Sequence, residues 1–208
     1  MSARPIIDVS ELPHHGFDTV DPVWWGNNAL LAIETSMFAI LIVTYFYLRQ
    51  NFTEWPPPLA LLTGPLDPLP DLGAATANTA LLVFSILPIV LVDLCARRGY
   101  KLGAQFGLVI CVLCGAGALV LRTFEFSAVK FRWDSNAYGS VVWFLLGMHL
   151  AHLLTLTVET VLLTIWAFAR EFDLKHRLDM TALAIYWYWV VTVWMLIYCV
   201  VYWSPRWL

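Results

Sequence analysis

The chain has 208 residues, 60% of them hydrophobic and 13% charged, with a formal net charge of −3. A soluble domain averages about 45–50% apolar and about 25% charged residues, so this composition excludes an ordinary soluble globular protein. The acidic balance gives nucleic acid no electrostatic footing, and eleven Trp and eight Tyr suit the two interfaces of a bilayer.

Residues 1–23 form a polar, acidic opening segment, "MSARPIIDVSELPHHGFDTVDP" through Val23. No short apolar run follows basic residues there, so a cleaved secretory signal is not expected and the first membrane helix directs insertion. A crossing takes about 20 apolar residues. Five runs meet that length: 25–48, 74–95, 102–121, 137–168 and 181–203. Residues 24–208 therefore read as an all-α, polytopic membrane protein, a bundle of five transmembrane helices without a repeat or second domain.

The connections are polar or rich in proline. "NFTEWPPPLALLTGPLDPLPD" predicts an ordered extramembrane loop, since its prolines forbid helix. "ARRGYK" predicts a tight turn; "RTFEFSAVKFRWDSN" and "REFDLKHRLD" are read as the remaining links. Five crossings put the termini on opposite sides. Arg4, Arg97, Arg98, Lys101, Arg170, Lys175 and Arg177 fall on the N-terminal side, against Arg49, Arg122, Lys130, Arg132 and Arg206. The positive-inside rule then places the N-terminus in the cytoplasm.

Within the helices, Pro88 predicts a kink. Gly103, Gly107, Cys111 and Gly115 recur every four residues, a seam that admits a neighbouring backbone. Cys111 and Cys114 make a CxxC, but no second cysteine pair or histidine adjoins it. Small residues in a tight seam are the simpler reading.

Few ionisable groups lie in the apolar runs. Glu34 is ten residues beyond Trp24, about 15 Å along a helix. His149 and His152 share a helix face one turn apart, and Glu159 follows two turns further on. Tyr186, Tyr188 and Thr192 add hydroxyls, as do Asn78 and Thr79 polar atoms in the second helix. Three readings compete. A haem or metal site needs ligands from separate helices, yet His14, His15 and His176 fall outside the helix interiors and no Glu-x-x-His repeats. A complete proton path needs polar groups along its length, and the second and third helices offer almost none. Mutual pairing inside the bundle, or with lipid or a partner, satisfies the groups with least cost, because an unpaired buried charge is expensive. On this reading Glu34 approaches His149, and Glu159 bonds Tyr186 or Tyr188.

Several segments together resemble subunit III of the haem-copper terminal oxidases. "IETSMFAILIVTYFYLR" is similar to that family's first core helix, with its buried glutamate at Glu34. "EWPPP", "PLPDLGAATANTALLVFS" with Asn78–Thr79, and "LRTFEF" with Glu125 resemble the segments that follow. "NAYGSVVWFLLGMHLAHLL" is close to the most specific signature, Tyr-Gly-Ser and then two histidines three apart. "YWYWVVTVWMLIYCVVYW" resembles the aromatic last helix. Five crossings correspond to the short form, without the two N-terminal helices of the longer one. There are departures: Leu150 replaces a small Gly, Tyr188 and Val191 stand where His and Asp are frequent, and Glu159 is additional.

The resemblance implies an accessory, non-redox subunit of an aerobic respiratory, proton-pumping complex, here a cytochrome c oxidase. It implies multi-pass residence in a bacterial inner membrane, with subunit I bound directly and subunit II in the same complex. Haem and copper are expected in those partners, with no catalytic, cofactor or metal residue in this chain, and phospholipid is expected to bind. Glu34, His149, His152, Glu159, Tyr188 and Glu125 form the expected buried polar network, structural or serving proton supply. The alternatives are a subunit-III-like protein of a quinol oxidase or nitric oxide reductase system, a free-standing carrier or channel, and a b-type cytochrome.

Overall fold

The computed structural model describes residues 17–57, 69–129 and 131–207. The expected opening segment is therefore described only from Phe17, and the Pro-rich loop is described only at its two ends. The described residues are overwhelmingly helical. The helices are α1 (Pro22–Arg49), α2 (Leu72–Phe84), α3 (Ile86–Arg98), α4 (Lys101–Ala128), α5 (Ala137–Ala169) and α6 (Leu174–Tyr198). A π-turn at Cys199–Trp203 leads from α6 into the short α7 (Ser204–Trp207). Among the described residues, five spans, with α2 and α3 forming one, are long and apolar enough to cross a membrane.

The starts of four helices follow from local chemistry. A helix leaves its first amides without partners, and a short carboxylate or amide side chain supplies one. Asp21 accepts from Val23 N at 2.7 Å, with Pro22 in the first turn. Asp71, Asn136 and Asp173 do the same for α2, α5 and α6. The α3–α4 turn needs left-handed backbone at Gly99, φ 72°, which glycine adopts freely. Arg177 closes this end of α3 by donating to the carbonyls of Ala96 and Arg97.

Pro88 has no amide hydrogen, and the second span breaks at Ser85, one residue before α3 begins. The break leaves Ser85 Oγ able to accept from Trp187 Nε1 at 2.8 Å. Two further α6 aromatics bond α2 in the same manner, Trp194 to Thr79 and Tyr198 to Thr76, each at 2.8 Å. Buried Trp and Tyr require such partners for their polar tips, so these bonds also fix the register of α6 on α2.

The small-residue stripe of α4 serves two neighbours. A Cβ at Gly107 would lie 2.7 Å from Val92 Cγ2, and one at Gly115 would lie 2.8 Å from Thr157 Oγ1. It approaches α3 at Gly107 and α5 at Gly115. α4 thus sits between the α2–α3 span and α5, while α1 packs against α5 and α6.

Two helix ends differ from expectation. α4 continues through Ala128, absorbing Arg122 and Glu125, and α6 starts at Leu174. Charged residues suggested loops, but buried pairing and exposed helix termini accommodate them within helix. Arg122 therefore leaves the set of loop cations used to weigh orientation.

Candidate functional site

Among the described residues, two clusters of hydrogen-bonded ionisable groups lie within the bundle. The first lies on α4, α5 and α6. Arg122 is fully buried, and its Nη1 donates to Glu125 Oε2 at 2.7 Å, three residues on along α4. Its Nη2 faces His149 Nδ1 at 3.1 Å, and its guanidinium carbon lies 3.8 Å from the Trp194 ring centre. Guanidinium groups only donate, so His149 Nδ1 must accept. His149 Nε2 faces Val190 O at 3.1 Å and must therefore carry the hydrogen. His149 is fixed as one neutral tautomer. The Tyr202 hydroxyl donates to Glu125 Oε1, and Arg206 donates to the Tyr202 carbonyl and to Pro70 O. The carboxylate thus has both oxygens bonded and the cation two bonds and a π-face, while Arg122 Nε has no partner among the described residues.

The second cluster lies where α1 meets α5. His152 Nδ1 faces Met148 O at 2.7 Å, and His152 Nε2 faces Glu34 Oε2 at 3.3 Å. His152 also packs on Phe38 and Trp189. Trp189 Nε1 donates to Thr35 Oγ1 at 2.7 Å, and Asn27 donates to Ala182 O, so α1 is tied to α6 on either side of Glu34.

This arrangement corrects three expectations. Glu34 pairs with His152 and not with His149. Residues three apart on a helix point about 60° from one another, so His149 turns into the bundle while His152 turns toward α1. Glu159 makes no hydrogen bond among the described residues. It stands half-buried in a groove of about 530 Å³ with Asn27, Trp166 and Asp179. The Tyr186 hydroxyl points instead to His152 O, at 3.5 Å. Tyr188 is half-buried, and its side chain joins neither cluster among the described contacts. Glu125 does belong to the interior, through Arg122 and Tyr202.

Arg122 was the residue hidden in the sequence. Its signal was the i, i+3 spacing to Glu125, which puts both on one helix face. Asn78 is fully buried, and its side-chain amide has no protein partner among the described residues. His14 and His15 lie outside the described residues. His176 is in the first turn of α6, against Asp173 and the Trp166 ring.

No group of three or more His, Cys, Asp or Glu side chains suited to a metal occurs among the described residues. The donor chemistry of the histidines points the same way. Each nitrogen of His149 and His152 faces a protein group, so neither ring turns a free lone pair toward an iron. The residues present do not fit a haem.

At the end bearing the start of α1, Arg97 holds Asp18 through two 2.9 Å bonds and reaches Asp93 at 3.1 Å. The Arg97 hydrogen bond holds the Asp18 carboxyl below its ordinary range. The backbone amide of His176 does the same for Asp173.

Comparison with known proteins adds independent information. The family model described as Cytochrome c oxidase subunit III matches residues 6–206. The chain is 25% identical over 195 residues to cytochrome c oxidase subunit 3 of Lumbricus terrestris, covering 91% of this chain and 73% of that one. It is 28% identical over 149 residues to the same-named protein of Oryctolagus cuniculus, covering 72% and 55%. With the Anopheles gambiae protein the identity is 24% over 194 residues, covering 91% and 72%. The alignment thus spans about half of the rabbit chain and nearly three quarters of the other two.

Proposed function

Because the chain belongs to the cytochrome c oxidase subunit III family, we infer that it is a non-catalytic subunit of a respiratory haem-copper oxidase. It flanks subunit I, with subunit II in the same complex, and the haems, coppers and oxygen chemistry reside in those partners. The observation that carries the non-catalytic part is the make-up of the polar network. Its histidines and carboxylates engage one another, Arg122 and backbone carbonyls, and leave no lone pair turned toward an iron.

The same network supports a role in keeping the complex durable and supplied with protons. Glu34, His149, His152 and Glu125 tie α1, α4, α5 and α6 together through their interior. Glu159 and Tyr188 take no bonded part in that brace. The α1–α5 face carries an apolar cleft of about 780 Å³, lined by Leu41, Leu48, Trp143 and Phe144 among others. A bilayer fills such a cleft with acyl chain, so phospholipid is its expected occupant. The membrane is a bacterial inner membrane, with the Arg97–Lys101 turn and the N-terminus on the cytoplasmic side.

Purification through a tag on this chain tests the reading. A larger haem-bearing chain is expected to co-purify, with no Soret band on this polypeptide when isolated alone. Removing the chain is expected to spare the initial rate of oxygen consumption and shorten the active lifetime. A stoichiometric Soret band on the isolated polypeptide would overturn it.

A further inference from the structure

A proton hops along a hydrogen-bonded chain only if every link can both accept and release one. Carboxyl, imidazole and phenol groups can do so; a guanidinium has five donors, no acceptor, and is not deprotonated in proteins. Among the described residues, two hydrogen-bonded pairs of relay-capable groups flank the middle of the bundle. Glu34 and His152 lie at the partly exposed α1–α5 contact, beside a groove that also takes in Thr155 and Tyr186. Glu125 and Tyr202 lie toward the end of α6, next to Arg206. His149, one turn from His152 on α5, and Arg122 stand between the two pairs.

At that junction the chain of acceptors is interrupted. Arg122 Nη2 covers the only lone pair of His149, Nδ1, at 3.1 Å, while Nε2–H is committed to Val190 O. On its other side Arg122 donates to Glu125 at 2.7 Å. Burial and the Trp194 ring, 3.8 Å away, hold the group in place.

We propose that Arg122 is a donor-only plug that stops protons from hopping between the Glu34–His152 pair and the Glu125–Tyr202 pair. The bundle thereby stays proton-tight despite carrying titratable groups on both sides of its middle. The positive end of the ion pair faces His149, so charge repulsion acts in the same sense as the missing acceptor; arginine barriers in membrane pores exclude protons on that principle. This role goes beyond that of the accessory subunit and uses the family assignment only to choose the complex tested.

The test uses vesicles containing the intact complex, with turnover inhibited and the decay of an imposed pH gradient followed by a trapped dye. The variant Arg122→His replaces the guanidinium with an imidazole, which can both accept and release a proton beside Glu125. The gradient is expected to collapse several-fold faster in this variant, while Arg122→Lys, again donor-only, holds it as the unsubstituted complex does. A His variant as tight as the unsubstituted complex overturns the proposal, as does a Lys variant equally leaky.

A second measurement needs no substitution. Exchange of the His149 ring hydrogen with deuterium requires a proton on Nδ1, which Arg122 covers. In complex labelled with 15N-histidine, the His149 ring hydrogen is expected to exchange far more slowly than that of His152. Equal rates would also overturn the proposal.

Discussion

His152 Nε2 faces Glu34 Oε2 at 3.3 Å, across the contact between α5 and α1. His152 Nδ1 is committed to the Met148 carbonyl, so Nε2 is the ring nitrogen that meets the carboxyl. Glu34→Ala is therefore expected to remove a tie between two helices. Initial oxygen consumption should stay close to normal while activity decays sooner during sustained turnover. Immediate total loss in an assembled complex would put Glu34 on an obligatory proton route.

Arg122→Ala leaves Glu125 as a buried carboxylate without its counter-charge. Such removals cost about 3–5 kcal/mol, so the thermal midpoint of the chain in detergent should fall sharply. Arg122→Met combined with Glu125→Leu removes both charges and is expected to recover most of that loss.

Glycine positions provide a graded test of packing. A Cβ at Gly139 would lie 2.4 Å from the Arg132 carbonyl oxygen, a backbone atom that cannot rotate aside. Gly139→Ala should cost about 1–3 kcal/mol, as overpacked sites do. At Gly147 a Cβ meets nothing within 4 Å, and Gly147→Ala should be neutral or stabilising by up to ~1 kcal/mol through helix propensity. Denaturation midpoints of the two variants measure the difference.

The Asp18–Arg97 contact predicts an acid limb in stability. The folded carboxyl titrates below its unfolded value of about 3.9. Its contribution is thus present above that pH and disappears as the pH falls through the lower, folded value. Asp18 is 48% exposed, so water and salt screen the pair and its effect is small. Asp18→Asn should flatten this part of a thermal-midpoint-against-pH profile, and added salt should mimic the substitution.

The five spans were legible because run length and apolar content are properties of sequence alone. Their ends were less so. Arg122 and Glu125 looked like loop residues because charge normally marks the edge of a span; only three-dimensional pairing shows that they neutralise one another inside α4. The choice between His149 and His152 as the partner of Glu34 depends on a 60° difference around α5, which sequence cannot orient without knowing where α1 packs. Glu159 lies in register with Asn27, two turns from Glu34, so the tyrosines expected to meet it face elsewhere. The aromatic bonds from α6 to Ser85 and Thr79 followed the same pattern. Their residue types were visible, but their registry awaited the bend at Ser85.

The position of α1 bears on how the protein is made. Its polar ties run to Ala182, Trp189 and His152, all on helices synthesised after α4. While α2, α3 and α4 are still being synthesised, α1 waits in the membrane without those companions, its glutamate unmatched. The docking of α1 thus waits on a long-range closure, and a ribosome stalled after α4 would release a product whose α1 is a natural target for membrane quality control.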